Sequence, residues 1–183
     1  KGKKILVLIN PPYAEATSSD NIGTGGTADA SKIGVSKTKL AELTIKEYGK
    51  ASNELFMQFV TRIAKELPTA TLAMFSKLKY INSQTLDVFR NNWNAKYLGG
   101  FVVHSKSFDG LKGDFPIGFL VWKTNQLSNE KYMITEIETD VLDKNVNAIG
   151  AKLFYNIPNE QLLTNWIERP KTNKSEVIPL KNC

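Results

Sequence analysis

The segment Asn10-Pro11-Pro12-Tyr13 combines groups suited to chemistry on an amine attached to an aromatic ring. Such an amine is a poor nucleophile because its lone pair is delocalised into the ring. Two acceptors that bind its N–H groups, the Asn10 side-chain oxygen and the Pro11 backbone oxygen, favour a tetrahedral nitrogen and return the lone pair to it. The prolines stiffen the loop, and Tyr13 supplies a face on which a base can stack. The exocyclic amine of adenine fits this arrangement.

The run Ile5–Ile9 comes directly before this segment and must position it. A short aliphatic run between lysines and Asn-Pro-Pro predicts a central strand that is buried on both faces. In open α/β sheets ligands bind beyond the carboxyl ends of the strands, which is where Asn10 would lie. The four residues are also compatible with a tight turn in which Tyr13 only fills space, but their position after a buried strand favours the chemical interpretation.

The remaining periodicity predicts an α/β sheet with helices packed on it. A polar stretch, Ala14–Lys39, is too long for an ordinary turn. Beyond Asp140 the pattern fades, apart from a short helical pattern at Leu162–Trp166. Between these segments the apolar spacing predicts helices around Leu40–Tyr48, Leu55–Ile63 and Leu86–Trp93, buried strands at Thr71–Phe75, Phe101–His104 and Ile117–Trp122, and an outer strand at Tyr132–Ile137.

The segment from Ile5 to Tyr13 resembles the catalytic motif of S-adenosylmethionine-dependent methyltransferases that act on amino groups, especially the adenine-N6 DNA methyltransferases of restriction–modification systems. The resemblance covers roughly residues 4–123, and only the four-residue motif is specific. It extends to Gly49–Phe56 with Phe59 as the following helix, Thr69–Phe75 as the next strand, and Phe101–Trp122 as the terminal β-hairpin.

This resemblance implies the carboxyl-terminal half of a Rossmann-like methyltransferase sheet, with flanking helices and a terminal hairpin. Residues 1–139 would be the catalytic half, and residues 140–183 a tail that begins a recognition or connecting segment. The implied reaction moves a methyl group from S-adenosylmethionine to adenine N6 in DNA, with Asn10, Pro11, Pro12 and Tyr13 as catalytic residues. In the family an aromatic residue in the hairpin loop stacks on the other side of the target base, and Phe108, with Phe115 as the alternate, matches it.

One expected element of the family is missing from this sequence. The donor-binding element is a strand followed by a glycine-rich turn and an acidic residue, and nothing here has that form. The run Gly23–Ala28 matches the dinucleotide-binding pattern G-x-G-x-x-A. It does not directly follow a predicted strand, as a dinucleotide site requires, so we interpret it as a loop. We therefore expect a fragment whose donor site lies largely outside these residues. We expect it to be inactive alone and, through the exposed edge of its sheet, prone to self-association.

Charge is compatible with DNA as a partner. The formal net charge is +6 and the isoelectric point is about 9.3, which permits a polyanionic partner without requiring one. Candidate phosphate contacts are Lys37, Lys39, Lys77 and Lys79.

Other composition features narrow the setting of the protein. The single Cys183 cannot form an internal disulfide, which fits a cytoplasmic protein. No apolar run reaches the length of a membrane span. His104 is the only histidine, so no metal site is expected, and it is interpreted as a residue at a strand end.

Two alternatives to DNA methylation stay open. An RNA base or the side-chain amide of a protein glutamine could accept the methyl group, because the motif resembles those families too. The chain could also be a nucleic-acid-binding module without catalysis, in which lysines contact phosphate.

Overall fold

A computed structural model of the chain describes residues 4–12, 39–109, 111 and 113–156. Tyr13, Lys37, Gly23–Ala28 and Leu162–Trp166 lie outside these residues. Within these described residues there are four α-helices and six strands: β1 (Leu6–Ile9), α1 (Lys39–Tyr48), α2 (Leu55–Glu66), β2 (Thr71–Lys77), α3 (Lys79–Asn82), α4 (Asp87–Asn92), β3 (Ala95–His104), β4 (Pro116–Thr124), β5 (Glu136–Leu142) and β6 (Ala148–Tyr155).

The strands form one mixed sheet in the order β1-β2-β4-β3-β5-β6. β1 and β2 are parallel, as are β3 and β5, whereas β4 is antiparallel to both β2 and β3, and β6 is antiparallel to β5. β1, β2, β3 and β5 therefore all run in the same direction. The predicted α/β class and the β3–β4 hairpin are confirmed, and the arrangement is compatible with a partial Rossmann-like sheet.

The helices pack on one face of the sheet and form the core with it. In α2 the buried residues Phe56 and Val60 are four apart, as a helical stripe requires. The predicted stripe of Leu86, Phe89 and Trp93 is also buried, and the Trp93 and Trp122 rings are 5.1 Å apart. Side chains of this face come from alternate positions of the strands, among them Leu72, Met74, Val102, Leu120 and Trp122.

Two apolar residues of the predicted helices lie outside this core. Leu43 is 71% exposed and Phe59 is 41% exposed, although each lies in a helix that apolar spacing predicted. The helical path is interrupted at Gly49: its φ is +58°, and a Cβ there would lie 3.0 Å from the Cβ of Val88. Glycine at this position separates α1 from the 3₁₀ turn Gly49–Asn53 without strain.

β1 is an edge strand within the described sheet, which corrects the prediction of a strand buried on both faces. It hydrogen-bonds to β2 alone among the six strands. Val7 and Ile9 pack towards the helix layer, whereas Leu6 and Leu8, on the other face, are 68% and 67% exposed. An aliphatic run shows that both faces are apolar but does not show what covers them. The expected self-association stays a prediction. Its physical basis is the exposed edge and the exposed apolar face of β1.

The strands near the carboxyl end also differ from the prediction. Tyr132 is not in a strand because Asn94 holds the preceding loop: its Nδ2 donates to the carbonyls of Asn125 and Glu130, and its Oδ1 accepts from the Tyr132 N–H. β5 begins later, at Glu136, and is internal, between β3 and β6. β6 was not predicted, because most of its residues are exposed and it lacks alternation.

Residues 140–156 continue this same sheet, since the boundary drawn at 139/140 lies inside β5. A second hairpin, β5–β6, thus follows the predicted one. The search for a helix long and apolar enough to cross a membrane found none in the part of the chain that is described.

Candidate functional site

The candidate site lies at the edge of the sheet where β1, β2, β3 and β5 end. Because these four strands share one direction, Asn10, Leu78, Ser105 and Asp143 follow their carboxyl ends at the same edge. α2 leads into the start of β2, so its amino-terminal end also lies at this edge. Ligands of open α/β sheets bind at such an edge.

Asn10 directly follows β1, as predicted. Asn10 and Pro12 are exposed, while Pro11 between them is buried. The last pair in the register of β1 with β2 is Ile9 with Met74, and Asn10 and Phe75 are the residues that follow this pair.

Phe108 lies against Phe75 on the sheet face that is opposite the helices. Their ring centroids are 5.6 Å apart at an interplanar angle of 77°. Phe75 in turn contacts Phe119 at 4.8 Å and Phe101 at 6.2 Å, which extends an aromatic row across β2, β4 and β3. Phe108 is half-buried, so one part of the ring is held by this row while another part is open to solvent. The structure thereby brings Phe108 to the strand next to Asn10.

Phe115 lies at the other end of the hairpin loop, directly before β4. The Lys77 Nζ is 5.8 Å from the centroid of the Phe115 ring, a distance at which a cation attracts an aromatic face. Lys77 is the last residue of β2. Phe115 and Lys77, predicted independently for base and phosphate, are therefore neighbours.

Ser105 holds the hairpin loop together, and the sequence analysis did not find it. Its hydroxyl is buried; it donates to the Gly113 carbonyl at 2.7 Å and accepts from the Phe115 N–H at 3.3 Å. The Ser105 backbone carbonyl accepts from the Phe108 N–H at 3.0 Å. One residue thus fixes both candidate aromatic residues. The one sequence feature that could have indicated this role of Ser105 is its position directly after a strand and before a polar loop.

Charged side chains also connect the two ends of the loop between β3 and β4. The Lys106 ammonium is 2.6 Å from the Asp114 carboxylate, and His104 lies 3.6 Å from the same oxygen. The hydrogen bond from Lys106 and its positive charge lower the pKa of Asp114. His104 ends β3, as predicted, and its Nδ1 accepts from the Lys106 N–H.

The four predicted phosphate lysines are not equivalent. Lys39 is exposed at the start of α1. Lys79 is 2.6 Å from Glu54, whose side chain is only 7% exposed. Glu54 precedes α2, and its other carboxylate oxygen is buried with no hydrogen-bond partner in the described part of the chain. Lys79 therefore neutralises a buried carboxylate. The sequence did not predict this role, because a glutamate directly before an apolar helix is usually exposed to solvent.

Replacing Lys79 with methionine is expected to lower the free energy of unfolding by about 2 kcal/mol, because it leaves a buried carboxylate without its charged donor. Urea titration followed by tryptophan fluorescence measures this. The matched control is Lys50→Met, since Lys50 is exposed and its loss should have little effect. The double variant Glu54→Leu/Lys79→Met should regain most of the stability. If Lys79→Met is no less stable than Lys50→Met, the ion pair is not structural.

Comparison with known proteins leaves the family unassigned. No protein-family model matches the sequence, and no curated protein matches it. Among solved structures the chain is similar to "ATP-dependent Type ISP restriction-modification enzyme LlaBIII bound to DNA", with 9% identity over 76% of this chain and 10% of that one and a TM-score of 0.43.

Two further solved structures show a similarity of the same order. One is the nuclease-deletion mutant of the Type ISP restriction-modification enzyme LlaGI in complex with a DNA substrate mimic, with 14% identity over 80% of this chain and 14% of that one and a TM-score of 0.46. The other is the DrdV–DNA complex, with 13% identity, coverage of 76% and 14%, and a TM-score of 0.41. The chain thus spans at most 14% of the length of these three proteins, and similarity at this level assigns no function.

Proposed function

We propose that this chain carries the catalytic residues of an enzyme that methylates the exocyclic N6 of adenine in DNA, within a restriction–modification system. The observation that supports this most directly is the position of Asn10. It follows β1 at the carboxyl edge of the sheet, and β1 lies beside β2, where the half-exposed ring of Phe108 rests on Phe75. An amide acceptor and an aromatic face on neighbouring strands are what a flipped adenine needs.

In this proposal Asn10 and Pro11 act on the target amine. The Asn10 side-chain oxygen accepts from one N–H of N6 and the Pro11 carbonyl accepts from the other. The nitrogen becomes more tetrahedral, and its lone pair is freed for attack. These hydrogen bonds strengthen as positive charge develops on nitrogen, so they stabilise the transition state more than the bound base. Pro11 is buried and Pro12 follows it, which restricts the backbone that carries the second acceptor.

The base has to leave the duplex to reach Asn10, and unstacking costs a few kcal/mol. Phe108 offsets part of this cost by stacking on one side of the base, and Tyr13 is proposed for the other side. The row of rings behind Phe108 keeps its orientation, since Phe75 contacts both Phe108 and Phe119. Lys77, beside Phe115, is suited to a phosphate near the flipped nucleotide.

The residues described here do not fit a site for the methyl donor. S-adenosylmethionine is the donor implied by the resemblance, and its site would need a glycine-rich turn after a parallel strand. The three residues that follow each of β1, β2, β3 and β5 contain no glycine. We therefore assign no donor contact to the residues that the structure describes.

Replacing Tyr13 with alanine is expected to weaken the capture of the flipped base by about 1–3 kcal/mol, because one stacking face is lost. Tyr13→Phe keeps the ring and should be much milder. The fluorescence of 2-aminopurine at the target position, titrated with the complete enzyme, reports the extrahelical base. If phenylalanine proves as damaging as alanine, the hydroxyl is the active group and stacking is not the role of Tyr13.

The proposed function is tested by incubating the complete enzyme with labelled S-adenosylmethionine and DNA, RNA or protein acceptors. Label in N6-methyladenine of DNA is the expected result. Transfer to an RNA base or to a glutamine amide would keep the chemistry of Asn10 but change the substrate. Binding of DNA without any transfer would identify a nucleic-acid-binding module instead.

A further inference from the structure

A cleft of about 490 Å³ lies where β3 and β5 end and β4 and β6 begin. Its walls are mainly apolar and include Phe115, Val141, Leu142 and Phe154. The volume is within the range of sites that hold small planar ligands, and aromatic walls of this kind stack on bases of any sequence. The cleft is separate from the row of rings that carries Phe108.

The cleft is lined by two lysines and two aspartates. Lys144 and Lys152 are both exposed and line it, and neither forms a salt bridge with another residue that the structure describes. The two rim acids are engaged elsewhere. Asp114 is bound by Lys106, and Asp143 is held within its own loop.

The Asp143 loop is closed by its own hydrogen bonds. Asp143 Oδ1 accepts from the backbone N–H groups of Asn145 and Asn147, each at 2.8 Å, and its Oδ2 accepts from the Asn147 side chain. These bonds lower the pKa of Asp143, with a smaller contribution from the positive charge of Lys144. The rim thus offers cations to an anion, above apolar walls that suit a base.

The cleft shares an edge of the sheet with Asn10. It lies three to four strands away, which at about 4.8 Å per strand is roughly 14–19 Å. That distance corresponds to about four to six base steps of a duplex. A nucleotide in the cleft is therefore not the target adenine but one at a short distance from it.

We infer that this cleft binds a second base of the DNA substrate, about four to six steps from the target adenine, with Lys144 and Lys152 on the flanking phosphates. The inference deepens the proposed function and rests on it, because it takes DNA to be the substrate. A second copy of the chain would also bury the apolar walls, and the tests below distinguish it from DNA.

The first test measures the affinity and the salt dependence of DNA binding. Labelled duplex is titrated with the complete enzyme by fluorescence anisotropy at several salt concentrations. Lys144→Ala/Lys152→Ala is expected to bind about tenfold more weakly and to flatten the salt slope by about 2, as the loss of two phosphate contacts requires. The matched control is Lys65→Ala/Lys96→Ala, at the opposite edge of the sheet, where α2 ends and β3 begins; it should leave both values unchanged.

The second test separates a bound base from simple phosphate contact. Ile149 is 65% exposed and lines the cleft, so Ile149→Trp narrows it without touching the core. A single abasic nucleotide is moved along the duplex. In wild-type enzyme one position four to six steps from the target adenine should weaken binding by about tenfold. In Ile149→Trp the intact duplex should already bind about as weakly, and the abasic position should cost little more.

The outcomes separate this inference from the function on which it rests. If wild-type enzyme methylates adenine but no abasic position matters, or the lysine pair behaves like its control, the cleft does not bind DNA. If the lysine variant changes only the oligomeric state measured by light scattering, the cleft is a protein interface and the inference is wrong. If wild-type enzyme neither binds nor methylates DNA, the proposed function and the inference both fail.

Discussion

Replacing Asn10 with alanine is expected to lower the rate of methyl transfer by the complete enzyme by about 10²–10³-fold, to the limit of detection. One preorganised acceptor that acts mainly in the transition state contributes roughly 3–4 kcal/mol. The Pro11 carbonyl alone cannot make the target nitrogen tetrahedral, because its second N–H would have no acceptor. Asn10 is exposed and lies outside the core, so the fold should be retained.

Two variants control for this effect. Asn91→Ala removes an exposed asparagine from α4 and should leave both fold and rate unchanged. Asn10→Asp retains an oxygen acceptor at the same place and should keep measurable transfer. Methyl incorporation gives the rate, and circular dichroism checks the fold. An Asn10→Ala enzyme within a few-fold of the wild-type rate would remove the chemical basis of the assignment.

The 183-residue chain by itself is expected neither to bind S-adenosylmethionine measurably nor to methylate DNA. No glycine-rich turn follows a parallel strand in the described sheet, so nothing described orients a methyl group towards Asn10. Orientation and proximity contribute about 7–11 kcal/mol to reactions of this kind. Asn10 and the aromatic residues can present a base but cannot compensate for a loss of this size.

Isothermal titration of the chain with S-adenosylmethionine tests this directly, with the complete enzyme as the positive control. Heats no larger than those of dilution are expected for the chain alone, and a saturable signal for the complete enzyme. A saturable, micromolar signal from the 183 residues would reveal a donor site in them that their sequence pattern does not show.

Local patterns in the sequence determined most of the helices and strands of this sheet. Val60 and Phe89 lie in helices that apolar spacing predicted, and both are buried, because apolar residues at helical spacing need a core. The position of Asn10 at the end of a strand also followed from sequence, since an aliphatic run that stops at Asn-Pro-Pro can continue neither as strand nor as helix. The chemistry proposed for Asn10 depends only on residue types and this position.

Tertiary structure decided which of these elements are neighbours. β4 lies between β2 and β3, and only this order brings Phe119 to Phe75 and so makes the surface on which Phe108 rests. The pairing of Lys79 with Glu54, 25 residues away, and the capture of the Asp143 carboxylate by its own loop could not be seen as patterns. Periodicity reports which side of an element is apolar. Contacts between distant segments decide which residue pairs with a buried charge and what lies beside an exposed strand such as β1. Such contacts produce no periodic pattern in the sequence, so they could not be predicted from it.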